Sequence, residues 1–194
     1  PVIAGGGSAG CRLSLLLALR YPEATRGLLL WYVTGGMTAA TVLGHGYYGQ
    51  YAEIAQAEGM AGICDSEFFA ERIAANPGNR DRLEAMPVDR FVRVMRNWQQ
   101  FFTDGADLPV IGATHDELAS IVVPTCIIPG ADEVHPRAVA EGLDQILSDS
   151  ELHSPFAEAD LAAIRQLPPG KIMARFAENQ ATIYRDFLKR RLPA

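Results

Sequence analysis

Ser8 lies in the run Gly5-Gly6-Gly7-Ser8-Ala9-Gly10, whose spacing fits two kinds of chemistry at once. As Gly5-x-Gly7-x-x-Gly10, the glycines would let a dinucleotide pyrophosphate approach a helix N-terminus. As Gly6-x-Ser8-x-Gly10, the same turn would be strained and would project a serine hydroxyl as a nucleophile. Both readings need a strand before the turn and a helix after it, so the next strand has to decide. A dinucleotide site wants an acid at the end of that strand for the ribose hydroxyls. Here the strand ends Trp31-Tyr32-Val33-Thr34, without one. The nucleophile reading is preferred. A serine is a weak nucleophile until a base takes its proton, so a histidine and an orienting acid are the residues to seek next.

The elements that must hold Ser8 are legible in the apolar pattern. Residues 1–6 read as a short buried strand running into the turn. Residues 8–20 read as a helix, apolar at Leu13, Leu16, Leu17 and Leu19 and stopped by Tyr21-Pro22. Residues 27–33 read as a second buried strand, closed by Thr34-Gly35-Gly36. Strand, helix and strand so spaced make a βαβ unit and hence a parallel sheet. Helical periodicity then covers 48–58, 67–75 (behind the caps Asp65 and Ser66), 81–85 and 89–102. The α/β alternation resumes with a strand over 123–129, a helix over 137–147 and a short strand over 150–153. A last amphipathic helix over 176–189 carries Ile183, Phe187 and Leu188 on one face.

Composition narrows the function classes. With 194 residues, 48% hydrophobic and 21% charged, an ordinary core can form. Acidic residues outnumber basic ones 23 to 17, a net charge of -6 that argues against a nucleic-acid partner. The excess is local: 37–120 holds 12 acids and 6 bases, while the remainder holds 11 of each. Three cysteines, Cys11, Cys64 and Cys126, lack CxxC spacing, which speaks against a disulfide framework and a zinc site. Buried, reduced thiols, a cytoplasmic location and no metal or other cofactor are the expectation. No apolar run approaches the roughly 18 residues of a membrane span, and the opening Pro-Val-Ile has no basic region of a signal peptide.

Three stretches together resemble the α/β-hydrolase superfamily. They are Gly6-Gly7-Ser8-Ala9-Gly10; Leu19-Arg20-Tyr21-Pro22-Glu23 with Arg26-Gly27-Leu28-Leu29-Leu30; and the run from Leu118 through Pro124 and Cys126 to Gly130. The resemblance implies the C-terminal part of an α/β-hydrolase fold, a mostly parallel sheet flanked by helices, with an inserted α-helical cap. It divides the chain into core (1–36), cap (37–120) and core again (121–194). On this reading the chain begins at the nucleophile strand. An upstream segment of the same protein, or a second chain, would then supply the missing strands, and a homodimer is also envisaged.

The family's chain order is serine, acid, histidine. Ser8 is then the nucleophile, and the Ala9 N–H donates to the oxyanion. The segment Gly130-Ala131-Asp132-Glu133-Val134-His135-Pro136 resembles the acid loop; counting back from Pro136 gives Asp132, which is preferred, and counting forward from Gly130 gives Glu133. Among His45, His115, His135 and His153, only the last two are placed to follow the acid. His153 with Glu158 resembles the family's base, while His135 would line the site from the acid's own loop. A rival alignment puts His153 inside the last strand and leaves the triad incomplete. Gly7, His45, Tyr47, Trp98 and His135 are the expected substrate-binding residues. The stretch Gly44–Tyr51 would line a pocket or pack the cap, and the stripe Phe91, Val94, Met95, Trp98, Phe101, Phe102 has the spacing of cap core. The implied activity is a serine hydrolase opening a small ester, lactone, thioester or C–C diketone bond through an acyl-enzyme. The alternative is a non-catalytic ligand-binding or scaffold homologue.

Overall fold

A computed structural model describes residues 1–193 other than 165, without the side chain of Glu158. Its elements in chain order are β1 (Val2–Gly7), α1 (Ala9–Arg20), β2 (Thr25–Trp31), α2 (Gly36–Gly44), α3 (Gln50–Asp65), α4 (Glu67–Ala75), α5 (Gly78–Glu84) and α6 (Val88–Asp104). After these come α7 (His115–Ala119), β3 (Thr125–Ile128), α8 (Arg137–Ile146), β4 (Ser150–Leu152), α9 (Leu161–Ile164) and α10 (Pro169–Arg191). The chain separates into two compact units, one of Pro1–Gly36 with Leu108–Ala194 and one of Met37–Asp107.

The first unit is built on a four-stranded sheet of order β1-β2-β3-β4, parallel throughout. In register, Gly7 pairs with Trp31, Trp31 with Ile128, and Ile127 with Leu152. The C-terminal ends of the strands therefore share one edge, and every loop that leaves this edge can present side chains to one place. Alternation along the strands sends Leu28, Leu30 and Ile127 into a core with Cys11 and Leu15 of α1 and with Ala140 and Leu143 of α8. On α10, which packs against β3, Phe187 is fully buried and the Tyr184 hydroxyl donates to the Leu30 carbonyl at 3.1 Å. β1 is the edge strand of this sheet, with Val2 and Ile3 exposed.

Residues 108–120 group with the sheet unit and not with the helical one. Val110, Ala113 and Leu118 are buried in the sheet core, and Thr114 caps α7 in a reciprocal pair with Glu117. Their apolar side chains have no helical stripe to declare which body they join.

The second unit is helical. α3 packs on α6 around Ala55, Met60, Ile63 and Phe91. α2 has no counterpart in the periodicity, because Met37-Thr-Ala-Ala-Thr-Val-Leu43 has no charged face to set its phase. His45–Gly49 forms a wide π turn leading into α3, with the Gln50 N–H bonded to the His45 carbonyl. α3 breaks at Gly59, where φ is 70°. Only part of the aromatic stripe on α6 is core. Phe91 and Phe102 are buried, whereas Val94, Trp98 and Phe101 are exposed, because the apolar arc is wider than the face its neighbours cover.

Candidate active site

Ser8 stands between the last residue of β1 and the first of α1 with φ 54° and ψ -118°, in the left-handed region that a side chain makes costly. Its N–H donates to the carbonyls of Trp31 (3.2 Å) and Tyr32 (3.1 Å), and its own carbonyl accepts from Cys11 at 3.0 Å. The flanking glycines differ in necessity. A Cβ on Gly6 would lie 2.5 Å from the Gly10 backbone, so strand and helix meet there only because Gly6 is bare. A Cβ on Gly7 would overlap the Trp31 indole, which lies where the dinucleotide reading needs open backbone. Ala9 is exposed at the start of α1, where helix geometry leaves N–H groups unpaired. The Ser8 hydroxyl is half-buried, 3.5 Å from the Thr34 hydroxyl.

The acid loop leaves β3. Asp132 Oδ1 accepts the N–H groups of Val134 (2.9 Å) and His135 (2.8 Å). Both carboxylate oxygens also lie against His135 Nδ1, at 2.9 and 3.0 Å. Burial pushes the Asp132 carboxyl up, but its bonds from the His135 ring and backbone more than offset this and hold it below the usual range. Glu133 is exposed and makes no side-chain hydrogen bond among the described residues. The His135 ring lies 5.4 Å from that of Tyr32, which stacks on Phe176 at 5.0 Å. Tyr32 has φ 54°, and it and Ser8 are the two non-glycine residues of positive φ among the described residues.

His153 directly follows β4, and its N–H extends the ladder to the Ile127 carbonyl at 2.9 Å. Its Nε2 is 2.9 Å from Glu151 Oε2. Glu151 is gripped by Arg190 at 2.8 and 3.1 Å and by Arg191 at 2.8 Å, and Arg191 also pairs with Asp149. The Arg190 guanidinium, opposed by burial and joined by Arg191 and His153, holds the Glu151 carboxyl far below its ordinary range. The structure thus pairs Ser8 with Thr34, Asp132 with His135, and Glu151 with His153. No hydrogen bond joins Ser8, Asp132 and His153 among the described residues. The side chain of Glu158, matched with His153 in the sequence, lies outside the described residues.

Sequence reasoning passed over Glu151, whose signal was there: positions 151 and 153 alternate onto one face of a strand. It also passed over Tyr32 as a site residue, because nothing in the residue type announces a positive φ.

His45, Tyr47 and Trp98 belong to the helical unit. His45 Nδ1 is 3.9 Å from Glu53. Trp98 stacks with Tyr48 at 6.0 Å, and Tyr48 also meets Phe102 at 5.7 Å. Tyr47 and Trp98 remain 59% and 50% exposed. In the sheet unit a cavity of about 890 Å³ opens beside Tyr32, Gly130, Arg137, Phe156 and Phe176. Cys11, Cys64 and Cys126 are buried and free, and burial pushes the thiols of Cys11 and Cys126 up to about 12. Among the described residues no group of three His, Cys, Asp or Glu could hold a metal ion, and no helix is long and apolar enough to cross a membrane.

No family model matches the chain, and no curated protein does. Solved structures do. MenH from S. aureus is 17% identical with a TM-score of 0.51, over 97% of this chain and 68% of its own. The enol-lactonase from Burkholderia xenovorans LB400 is 17% identical with a TM-score of 0.44, over 95% of this chain and 64% of its own. MGS-M2, an alpha/beta hydrolase enzyme from a Medee basin deep-sea metagenome library, is 20% identical with a TM-score of 0.45 over 79% of this chain. The chain spans 56% of the length of MGS-M2. With its four parallel strands, flanking helices and strand–serine–helix turn, the chain has part of the α/β-hydrolase fold.

Proposed function

We propose that the chain carries the nucleophile and acid loop of a serine hydrolase acting on a small ester, lactone, thioester or C–C diketone. The observation that carries this reading is Ser8 at φ 54° on the turn between β1 and α1. Such strain persists only where surrounding structure enforces it, and it concentrates at functional sites. Ser8 Oγ attacks the carbonyl carbon while a histidine oriented by Asp132 takes its proton. The oxygen that gains the electron pair receives the Ala9 N–H. Collapse expels the leaving group with the proton, and water repeats the sequence on the acyl-enzyme. The resemblance points to His153 for this role, but its Nε2 lies against Glu151 at 2.9 Å.

In this reading the helical unit, residues 37–107, is the cap, and Gly7 and His135 of the sheet unit face the substrate. The open edge of β1 pairs with an upstream segment or a second chain, and the protein acts in the cytoplasm. A non-catalytic, ligand-binding role is the second reading. It is favoured by one observation: among the described residues the hydrogen-bond partner of the Ser8 hydroxyl is Thr34, at 3.5 Å, and not an imidazole.

A fluorophosphonate probe on the full-length protein tests the choice. A Ser8 adduct absent from Ser8→Ala is expected for the hydrolase. An unlabelled Ser8, with ligand binding unchanged in Ser8→Ala, selects the non-catalytic role.

A further inference from the structure

We propose that His135 is the base that takes the Ser8 proton, so that one loop supplies both the imidazole and the carboxylate behind it. This rests on Ser8 as the nucleophile and deepens that reading.

The first support is the proton arrangement. A carboxylate only accepts, and both oxygens of Asp132 lie within 3.0 Å of His135 Nδ1. The proton of the neutral ring therefore sits on Nδ1, and Nε2 carries the lone pair. The tautomer is that of a general base. The backbone N–H groups of Val134 and His135 fix the same carboxylate, which leaves the ring little freedom to change partner.

The second support is that His135 Nε2 is buried and has no hydrogen-bond partner among the described residues. Buried polar atoms are almost always paired, and an exception calls for an explanation. A nitrogen reserved for a proton in transit is such an explanation. His153 differs in this respect, since its Nε2 is occupied by Glu151 and Glu151 is held by two arginines.

The third support is placement. Ser8, Tyr32 and the His135 loop leave the C-terminal ends of β1, β2 and β3, consecutive neighbours in the sheet. Tyr32 touches both sides: its carbonyl accepts the Ser8 N–H, its N–H donates to the Ile128 carbonyl, and its ring faces that of His135. Strands lie about 4.8 Å apart, so β1 and β3 are separated by roughly 10 Å, a span that a serine and a histidine side chain can close between them. Gly130 makes the fold-back possible, because a Cβ there would overlap both the backbone and the Cβ of His135. Ser8 Oγ and His135 Nε2 share no hydrogen bond among the described residues. Catalytic hydrogen bonds commonly tighten only when substrate is bound.

In the step itself the bond from Ser8 Oγ to the carbonyl carbon forms as the Oγ proton passes to His135 Nε2. The carbonyl electron pair moves to oxygen, and Asp132 faces the resulting imidazolium. The leaving group departs with that proton, and a water molecule then repeats the exchange.

The test is the rate at which a fluorophosphonate labels Ser8 in the full-length protein. General-base catalysis contributes about 10²–10⁴-fold. His135→Gln and Asp132→Asn are expected to slow labelling by about a hundredfold or more, and His153→Gln by less than about threefold. Circular dichroism identifies a variant that has lost its fold, and Asp132→Asn, which keeps the ring in place, then decides. Free imidazole restoring the labelling of His135→Ala is a readout that a purely structural role would not produce. A large loss in His153→Gln with full labelling in His135→Gln overturns the assignment and leaves the nucleophile standing. No labelling of wild-type Ser8 removes the nucleophile and this inference together.

Discussion

The turn after β1 and the stretch after β4 leave the same edge of the same sheet, and they treat their reactive side chains in opposite ways. Ser8 is set on a strained backbone, and among the described residues its hydroxyl has only a long contact, to Thr34. His153 continues a regular ladder and turns its ring back along the strand into a charged cluster with Glu151, Arg190 and Arg191. Strain without partners holds a group ready for chemistry. Partners without strain hold a group in place. By that measure Ser8 has the setting of a catalytic residue and His153 that of a structural one.

The largest effect that would sharpen this contrast is on turnover. Ser8→Ala is expected to lower ester hydrolysis by roughly 10³-fold or more with little change in thermal midpoint, since removal of a triad member has effects of that order. Retained hydrolysis would break the contrast at its stronger side.

Glu151→Gln should do the reverse. A denaturant titration is expected to show a loss of about 1–2 kcal/mol, in the lower part of the range for charged hydrogen bonds because the arginines face solvent. Ser8 labelling should be unchanged. The pH dependence has a definite sign. The Glu151 carboxyl is held below its ordinary value in the folded state, so its stabilisation is complete above the unfolded value of about 4.3. That stabilisation drains away as pH falls through and below this point. Wild type should lose stability there more steeply than Glu151→Gln, measured by thermal midpoints across the acid range.

Within the serine turn, Gly6→Ala should destabilise by about 1–3 kcal/mol, the usual cost of overpacking, because its Cβ meets the Gly10 backbone at 2.5 Å. Gly10→Ala is the smallest effect. A Cβ there has open space within 4 Å and the position is helical, so stability should be equal or up to about 1 kcal/mol higher. Equal penalties at both glycines would mean that the turn is not packed as described.

Much of the fold was legible because its signals are local. The glycine turn, the apolar strands around Leu28–Leu30 and Cys126–Ile128, and α4 with Ser66 before it follow from spacing and end signals read over a few residues. α2 escaped because seven small or apolar residues have no polar face. The π turn at His45–Gly49 escaped because two glycines in five residues read as a loop. The serine turn was legible for the same reason that the contacts around it were not. Gly6-x-Ser8-x-Gly10 encodes a backbone shape, whereas the carboxylate that a histidine finds depends on how strands stack. His135 reaches Asp132 through a three-residue fold-back, and His153 reaches Glu151 through the pleat. Only the pleat could have been read from the sequence.

Gly27 of β2 has its own consequence. A Cβ there would overlap the Leu192 side chain, and next to it Arg26 donates to the Pro193 carbonyl at 2.9 Å across a separation of 167 residues. On the ribosome, residues 26–27 emerge long before 192–193 are made. The start of β2 therefore stays uncovered while the intervening residues are made, and the contact that closes it forms only after them. Long-range closures of this kind slow folding and lengthen the life of partly covered strands. Bulk at position 27 would thus be felt in the yield of folded protein made in a cell before it is felt at equilibrium.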